Sequence, residues 1–175
     1  MRDATLTIHL KDYTPPAFLV STVGLDVDVR EAQVTVHATL RLERNPAFGD
    51  GGAPLLLDGH DLELVSVSID GRALAPAEYR VDKGHLAIAQ VPAAFTLETV
   101  VRFDPWKNTQ LEGLYATRSG LVTQCEAEGF RRITYFIDRP DVMAKYTVAI
   151  CASRERFPRL LANGNLAAQI GRAHV

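Results

Sequence analysis

Cysteine is scarce in this chain: Cys125 and Cys151 are the only two in 175 residues. Two thiols do not make the disulfide framework of a small secreted domain, so both are expected to be reduced, unbridged and partly buried. Long apolar runs are also missing, and no stretch reaches the ~18 to 20 residues that a helix needs to cross a bilayer. The opening Met1-Arg2-Asp3-Ala4-Thr5 has neither a basic region ahead of an apolar run nor an Arg-rich amphipathic segment, so no signal or transit peptide is read there. Charge of one sign is not in excess either. The formal net charge is -2, and Lys and Arg are scattered without a stripe, which leaves no electrostatic footprint for nucleic acid. These absences point away from a disulfide-stapled, membrane-spanning or nucleic-acid-binding chain and towards a cytoplasmic one.

Catalytic motifs are equally sparse. No G-x-S-x-G elbow and no glycine-rich phosphate loop opens a helix. His9, His37, His60 and His85 are dispersed along strand or turn segments with no two a helical turn apart, so they read as surface histidines and not as metal ligands. The chain alone is therefore expected to bind no stoichiometric zinc. Cys125 is a poor nucleophile candidate, because no histidine lies near it in sequence and the flanking Glu126 opposes thiolate formation.

What remains is the composition of one folded domain, 47% hydrophobic and 23% charged, with a dominant period-2 alternation. Val23, Leu25, Val27 and Val29 alternate with Gly24, Asp26 and Asp28, and after a turn at Arg30 to Gln33 the pattern resumes at Val34, Val36, Ala38, Leu40 and Leu42. That spacing predicts a β-hairpin. Asn45-Pro46 and Gly49 to Gly52 predict a surface loop. Val65, Val67 and Ile69 run into Asp70-Gly71, a two-residue hairpin signal. Short strands follow at Tyr79 to Val81, Leu86 to Ile88 and Phe95 to Phe103, with Asp82-Lys83-Gly84 as a turn between the first two. A single helical turn is expected over Asp138 to Met143 with Asp138 as its N-cap, and strand alternation resumes at Tyr146, Val148 and Ile150. The fold class is thus all-β, a twisted and mostly antiparallel sandwich or saddle-shaped sheet. Residues 1–168 make that domain. Residues 169–175, Gln169 to Val175, fit no strand or helix pattern and read as a translated sequencing adapter, a non-native tail in which His174 has no function.

The most informative stretch holds three motifs: Asn108-Thr109-Gln110-Leu111-Glu112-Gly113-Leu114-Tyr115, then Thr123-Gln124-Cys125-Glu126-Ala127-Glu128-Gly129-Phe130-Arg131-Arg132, then Tyr135-Phe136-Ile137-Asp138-Arg139-Pro140-Asp141. In this order they resemble N-T-x-L-E-G-L-Y, T-Q-C-E-A-E-G-F-R and Y-x-x-D-R-P-D-V of the N-terminal domain of the bacterial-type, zinc-dependent aminopeptidase N family. The resemblance extends from about Tyr13-Thr14-Pro15-Pro16, through Leu55-Leu56-Leu57-Asp58-Gly59, to Leu160-Leu161-Ala162-Asn163-Gly164-Asn165. Trp106-Lys107, Val122 and Ala162 depart from its usual residues without touching the substrate motif.

The resemblance implies a twisted, largely antiparallel β-domain that covers a catalytic domain acting on peptide substrates. It implies that Glu126 helps bind the free α-ammonium group of the peptide and that Gln124 lines the pocket for the first side chain. An extended segment would place Gln124 and Glu126 on one face and Cys125 on the other. By pattern alone, Gln124, Glu126 and Glu128 equally make the solvated face of a strand. Arg131, Arg132, Asp138, Arg139 and Asp141 are expected to pin loops through caps and ion pairs and not to meet substrate. The family's zinc and catalytic motifs, G-A-M-E-N and H-E-x-x-H, are absent, so the zinc ligands and all catalytic residues belong to a missing catalytic domain of the same chain and the fragment alone is expected to be inactive. The competing reading is a stand-alone, non-catalytic β-sandwich interaction module.

Overall fold

The computed structural model describes residues 10–49 and 51–169. His9 and all of the proposed tail except Gln169 lie outside them. Eleven strands follow in chain order: β1 (Phe18–Val29), β2 (Val34–Arg44), β3 (Leu55–Asp58), β4 (Glu63–Ile69), β5 (Arg72–Ala73), β6 (Tyr79–Val81), β7 (His85–Ile88), β8 (Ala94–Phe103), β9 (Gly113–Thr117), β10 (Gly120–Gln124) and β11 (Lys145–Ala152). Helix among the described residues is confined to three short 3-10 turns.

Alternation builds the main sheet. Phe18, Val20, Val23, Leu25 and Val29 of β1 are buried, as are Val34, Val36, Ala38, Leu40 and Leu42 of β2, and the two strands pair antiparallel across the Arg30 to Gln33 turn. The strand begins at Phe18, ahead of the alternation read from Val23, because a register shift between Val20 and Thr22 resets the pattern. A bulge of this kind hides continuity from a strict period-2 reading. The sheet runs β11-β1-β2-β8-β4-β5. Asp70 and Gly71 turn β4 into β5 with φ of 50° and 78°, the positive values that a type I′ turn demands.

A three-stranded sheet, β3-β7-β6, supplies Leu55, Leu57, Leu86 and Ile88 to the same core. β3 is not visible as alternation, since Leu55-Leu56-Leu57 is apolar throughout; in place, Leu55 and Leu57 are fully buried while Leu56 is exposed. The third sheet is the β9-β10 hairpin. Among the described residues all strand pairs are antiparallel except β1 with β11, which is parallel.

β11 occupies the predicted residues but not the predicted environment. Tyr146 and Val148 are exposed on this edge strand, and Ile150 is only half-buried. Phe130 meets the Tyr146 ring edge-on at 5.9 Å, which leaves Tyr146 and Val148 still more than a third exposed. The expected helical turn over Asp138 to Met143 is also replaced, by a single tight turn closed by Val142 N–H donating to Arg139 O at 3.1 Å. Asp138 does not cap it, because its carboxylate is taken from the other side by Arg131.

Between the sheets and the exposed hairpin runs the segment Ile133 to Asp138, every residue of which is buried. It is tied to the end of β3 by a reciprocal pair of backbone bonds, Asp58 N–H to Phe136 O (2.7 Å) and Phe136 N–H to Asp58 O (3.0 Å). Gly59 leaves room for the Tyr135 ring: a Cβ there would collide with it.

Candidate functional site

The three motif segments converge at one end of the molecule. Asn108 organises the first. Its Nδ2 donates to the carbonyls of Glu112 (2.7 Å) and Leu114 (3.0 Å), and its Oδ1 accepts from Gln110 N–H at 3.0 Å. The loop so closed ends at Gly113, whose φ of 69° and close approach to Arg132 Cβ, 2.6 Å from where a Cβ would stand, both require glycine.

Gly113 pairs with Gln124 at the end of the β9-β10 hairpin. There the extended segment stops. Cys125 to Glu128 form a turn, closed by Gly129 N–H donating to Cys125 O at 2.8 Å, and the Glu126–Ala127 peptide is cis. The Gly129 backbone sits against the end of β10, where an added Cβ would lie 2.9 Å from Cys125 Cα and 3.0 Å from Gly113 N and would collide with Gln124 O. Gln124 and Glu126 are therefore not alternate residues of one strand face, as an extended reading supposes. They are linked instead by a hydrogen bond from Gln124 Nε2 to Glu126 O at 3.0 Å. Both side chains are exposed.

Cys125 points to structure and not to chemistry. It packs against the core, and burial, with the Asp138 charge as a second cause, pushes its thiol pKa up. A protonated thiol in an anionic setting is a weak nucleophile.

Arginines hold the surroundings. Arg131 donates to Asp138 Oδ2 through its backbone N–H (3.1 Å) and Nε (3.0 Å), and to Asp138 O through Nη2 (3.0 Å). The same Nη2 lies 3.3 Å from Glu128 Oε2. Asp138 is itself buried, and its N–H donates to Asp58 Oδ2 at 3.1 Å. Arg132 pairs with Glu112 at 3.2 Å and with Asp61. Arg139 chelates Asp141 at 2.9 and 2.7 Å and donates to Thr14 O at 2.8 Å, while Tyr13 OH donates to Asp141 Oδ2 at 3.0 Å. These five residues do the loop-pinning work expected of them.

Sequence reasoning missed Asp58, which joins β3 to both Phe136 and Asp138. The available signal was the Asp58-Gly59 pair closing an apolar run, the place where a chain leaves a strand. Also unforeseen is a shallow cleft of about 380 Å³ lined in part by His60, Asp61, Asp104, Lys107 and Arg132. Its charges are engaged with one another, Lys107 with Asp104 at 3.1 Å and Arg132 with Asp61. Two of the described histidines lie near carboxylates, His37 near Asp26 and Glu98, His85 near Asp58 and Asp82. Among the described residues no group of three or more His, Cys, Asp or Glu is placed to hold a metal ion.

An all-β domain carrying this motif cluster defines the N-terminal domain of an M1 peptidase, and the chain belongs to the Peptidase M1 N-terminal domain family, which it matches over residues 12–171. Among individual proteins, it is 47% identical over 163 residues to aminopeptidase N of Caulobacter vibrioides, covering 93% of this chain and 18% of that protein. It superposes on the crystal structure of Legionella pneumophila aminopeptidase A in complex with aspartic acid with a TM-score of 0.83 and 35% identity, over 89% of this chain and 18% of that one. The M1 zinc metallopeptidase of Deinococcus radiodurans, at 16% identity and a TM-score of 0.62, covers 78% of this chain and 33% of its own and shares the fold. The chain thus spans less than a fifth of the length of the aminopeptidase N and aminopeptidase A relatives.

Two outcomes follow from this packing. Gly129→Ala should destabilise the chain by about 1 to 3 kcal/mol through overpacking, whereas Gly24→Ala, whose Cβ would meet only ordinary contacts at 3.7 Å, should be neutral or slightly stabilising; urea unfolding of both variants checks the contrast. Asp141 has its pKa lowered, first by the Arg139 hydrogen bond and then, against the opposing effect of burial, by Tyr13. A lowered carboxylate contributes stability above the ordinary carboxylate range and loses it as pH falls through the folded value. Asp141→Asn should therefore cost about 1 kcal/mol at pH 7 and flatten the acid limb of a stability profile measured from pH 7 to pH 2; an unchanged acid limb counts against the pair.

Proposed function

We propose that the chain is the N-terminal part of a zinc metallo-aminopeptidase that removes single residues from the N-termini of peptides. In this reading Glu126 receives the α-ammonium group of the substrate and Gln124 lines the pocket for its first side chain. The observation that carries it is the fate of three neighbouring glutamates. Glu112 is paired with Arg132 and Glu128 with Arg131, while no hydrogen bond or ion pair engages the Glu126 carboxylate among the described residues. An exposed carboxylate on a braced turn, with its two neighbours already ion-paired, is the anion available to a cationic ligand.

The chemistry fits an exopeptidase, which must count from a charged amine. A carboxylate held at a fixed distance from the scissile bond does so through a charge-assisted hydrogen bond. Gln124, tethered to the Glu126 carbonyl, adds a neutral wall whose contribution depends on the side chain it meets. The zinc implied by the family finds no ligand set in the described residues, so in this reading the metal and the bond-breaking groups are supplied by a catalytic domain elsewhere in the enzyme, and this piece alone is inactive. The low cysteine count, two in 175 residues, supports a cytoplasmic setting in this reading.

The test is Glu126→Gln in the complete enzyme that carries this domain. Losing one member of a desolvated charge pair costs about 2 to 5 kcal/mol, roughly 30-fold to several thousandfold in kcat/KM. Gln124→Ala should be milder and should vary with the first residue across a panel of aminoacyl substrates. A Glu126→Gln enzyme within about threefold of wild type on the whole panel would return Glu126 to a solvated surface and overturn the substrate role given to it here.

A further inference from the structure

The position of Glu126 must be set by the two ends of its turn, since its own carboxylate is held by nothing in the described residues. One end is fixed by β10 and the Gln124 hydrogen bond to Glu126 O. The other end is fixed through Glu128 and Gly129. We propose that Arg131 is a positioning residue for Glu126, acting through Glu128, and that the sheet transmits its rigidity to the substrate site by this route; the proposal rests on the role given to Glu126 above.

The contacts form an unbroken series. Asp58, at the end of β3, accepts the Asp138 N–H at 3.1 Å. Asp138, 8% exposed, holds Arg131 by two bonds to one carboxylate oxygen and one to its carbonyl. Arg131, its side chain 14% exposed, reaches Glu128 at 3.3 Å, two residues beyond Glu126. Buried side chains with several partners have one geometry, whereas the exposed turn by itself has many. Arg131 also offsets the negative charge of Glu128, Asp138 and Asp58 together, which keeps neighbouring carboxylates from displacing one another. Lysine would retain the charge but lose the planar fork that grips Asp138 and Glu128 at once.

A double-mutant cycle in the complete enzyme separates this role from a general contribution to folding. Arg131→Lys should raise KM for peptides with a free N-terminal ammonium by roughly tenfold, with a smaller change in kcat, as a slightly misplaced binding group does. In the Glu126→Gln background the same substitution should change KM by less than about twofold, because the group it positions no longer binds. A tenfold penalty that persists in that background, or an Arg131→Lys enzyme equal to wild type while Glu126→Gln is impaired, overturns the proposal and leaves the Glu126 reading intact. An inert Glu126→Gln overturns both. Should Arg131→Lys fail to fold, Glu128→Gln, which removes only the exposed end of the pair, takes its place in the cycle; a KM increase that vanishes beside Glu126→Gln supports the route, and additivity or no increase overturns it.

Discussion

The reciprocal backbone bridge between Asp58 and Phe136 joins two parts of the molecule that would otherwise be separate. On one side lie β3 and the small sheet, with Leu55 and Leu57 in the core. On the other lies the buried segment Ile133 to Asp138, which has no strand neighbours of its own beyond this bridge. A buried segment without a ladder leaves backbone groups at risk of being unsatisfied, and each such group costs about 1 to 3 kcal/mol. The bridge satisfies two of them, and the Asp58 carboxylate satisfies the Asp138 N–H. Tyr135 and Phe136 then fill the core, with Phe136 meeting Phe130 edge-on at 5.0 Å. The loop that carries Gln124 and Glu126 is attached to this assembly and takes its shape from it.

Charge distribution follows from the same attachment. The motif segments bring acidic side chains and two arginines into one region, and each arginine, only 14% exposed, is shared by a particular pair: Arg131 by Asp138 and Glu128, Arg132 by Asp61 and Glu112. Half-buried ion pairs of this kind contribute more to geometry than to net stability, because desolvation offsets much of the Coulomb attraction. Their consequence is a braced rim on which the exposed Glu126 carboxylate has no ion-pair partner among the described residues.

Much of the fold is legible in the amino-acid order, for a physical reason. Strands with one buried face must alternate, so β1, β2, β4 and β8 are announced by their valines, leucines and isoleucines, and Asp70-Gly71 by its need for positive φ. Where burial alternates but residue type does not, as at Leu55 to Leu57, the strand is hidden. Where residue type alternates on an edge strand that is covered only in part, as at Tyr146 and Val148, the strand is found and its burial is misjudged. The motif resemblance identified the family and singled out the residues around Glu126. It was not enough to foresee that the chain turns after Gln124, because that turn follows from the packing of Gly129 on Gly113 and Cys125, a tertiary contact. The fate of Asp138 was hidden likewise: a capping residue by local pattern, it serves Arg131, seven positions earlier, because that arginine lies folded against it.

The claim that a rigid interior sets the geometry of the exposed turn is tested most directly by native-state hydrogen exchange at the amides of Asp58, Phe136 and Asp138. These three amides are expected to exchange only with a free energy approaching that of global unfolding, as core strands do, although Phe136 and Asp138 lie in no regular strand. Exchange at rates typical of exposed turns, with the β1 and β2 amides still protected, would show that the Ile133 to Asp138 segment opens independently of the core and would contradict it.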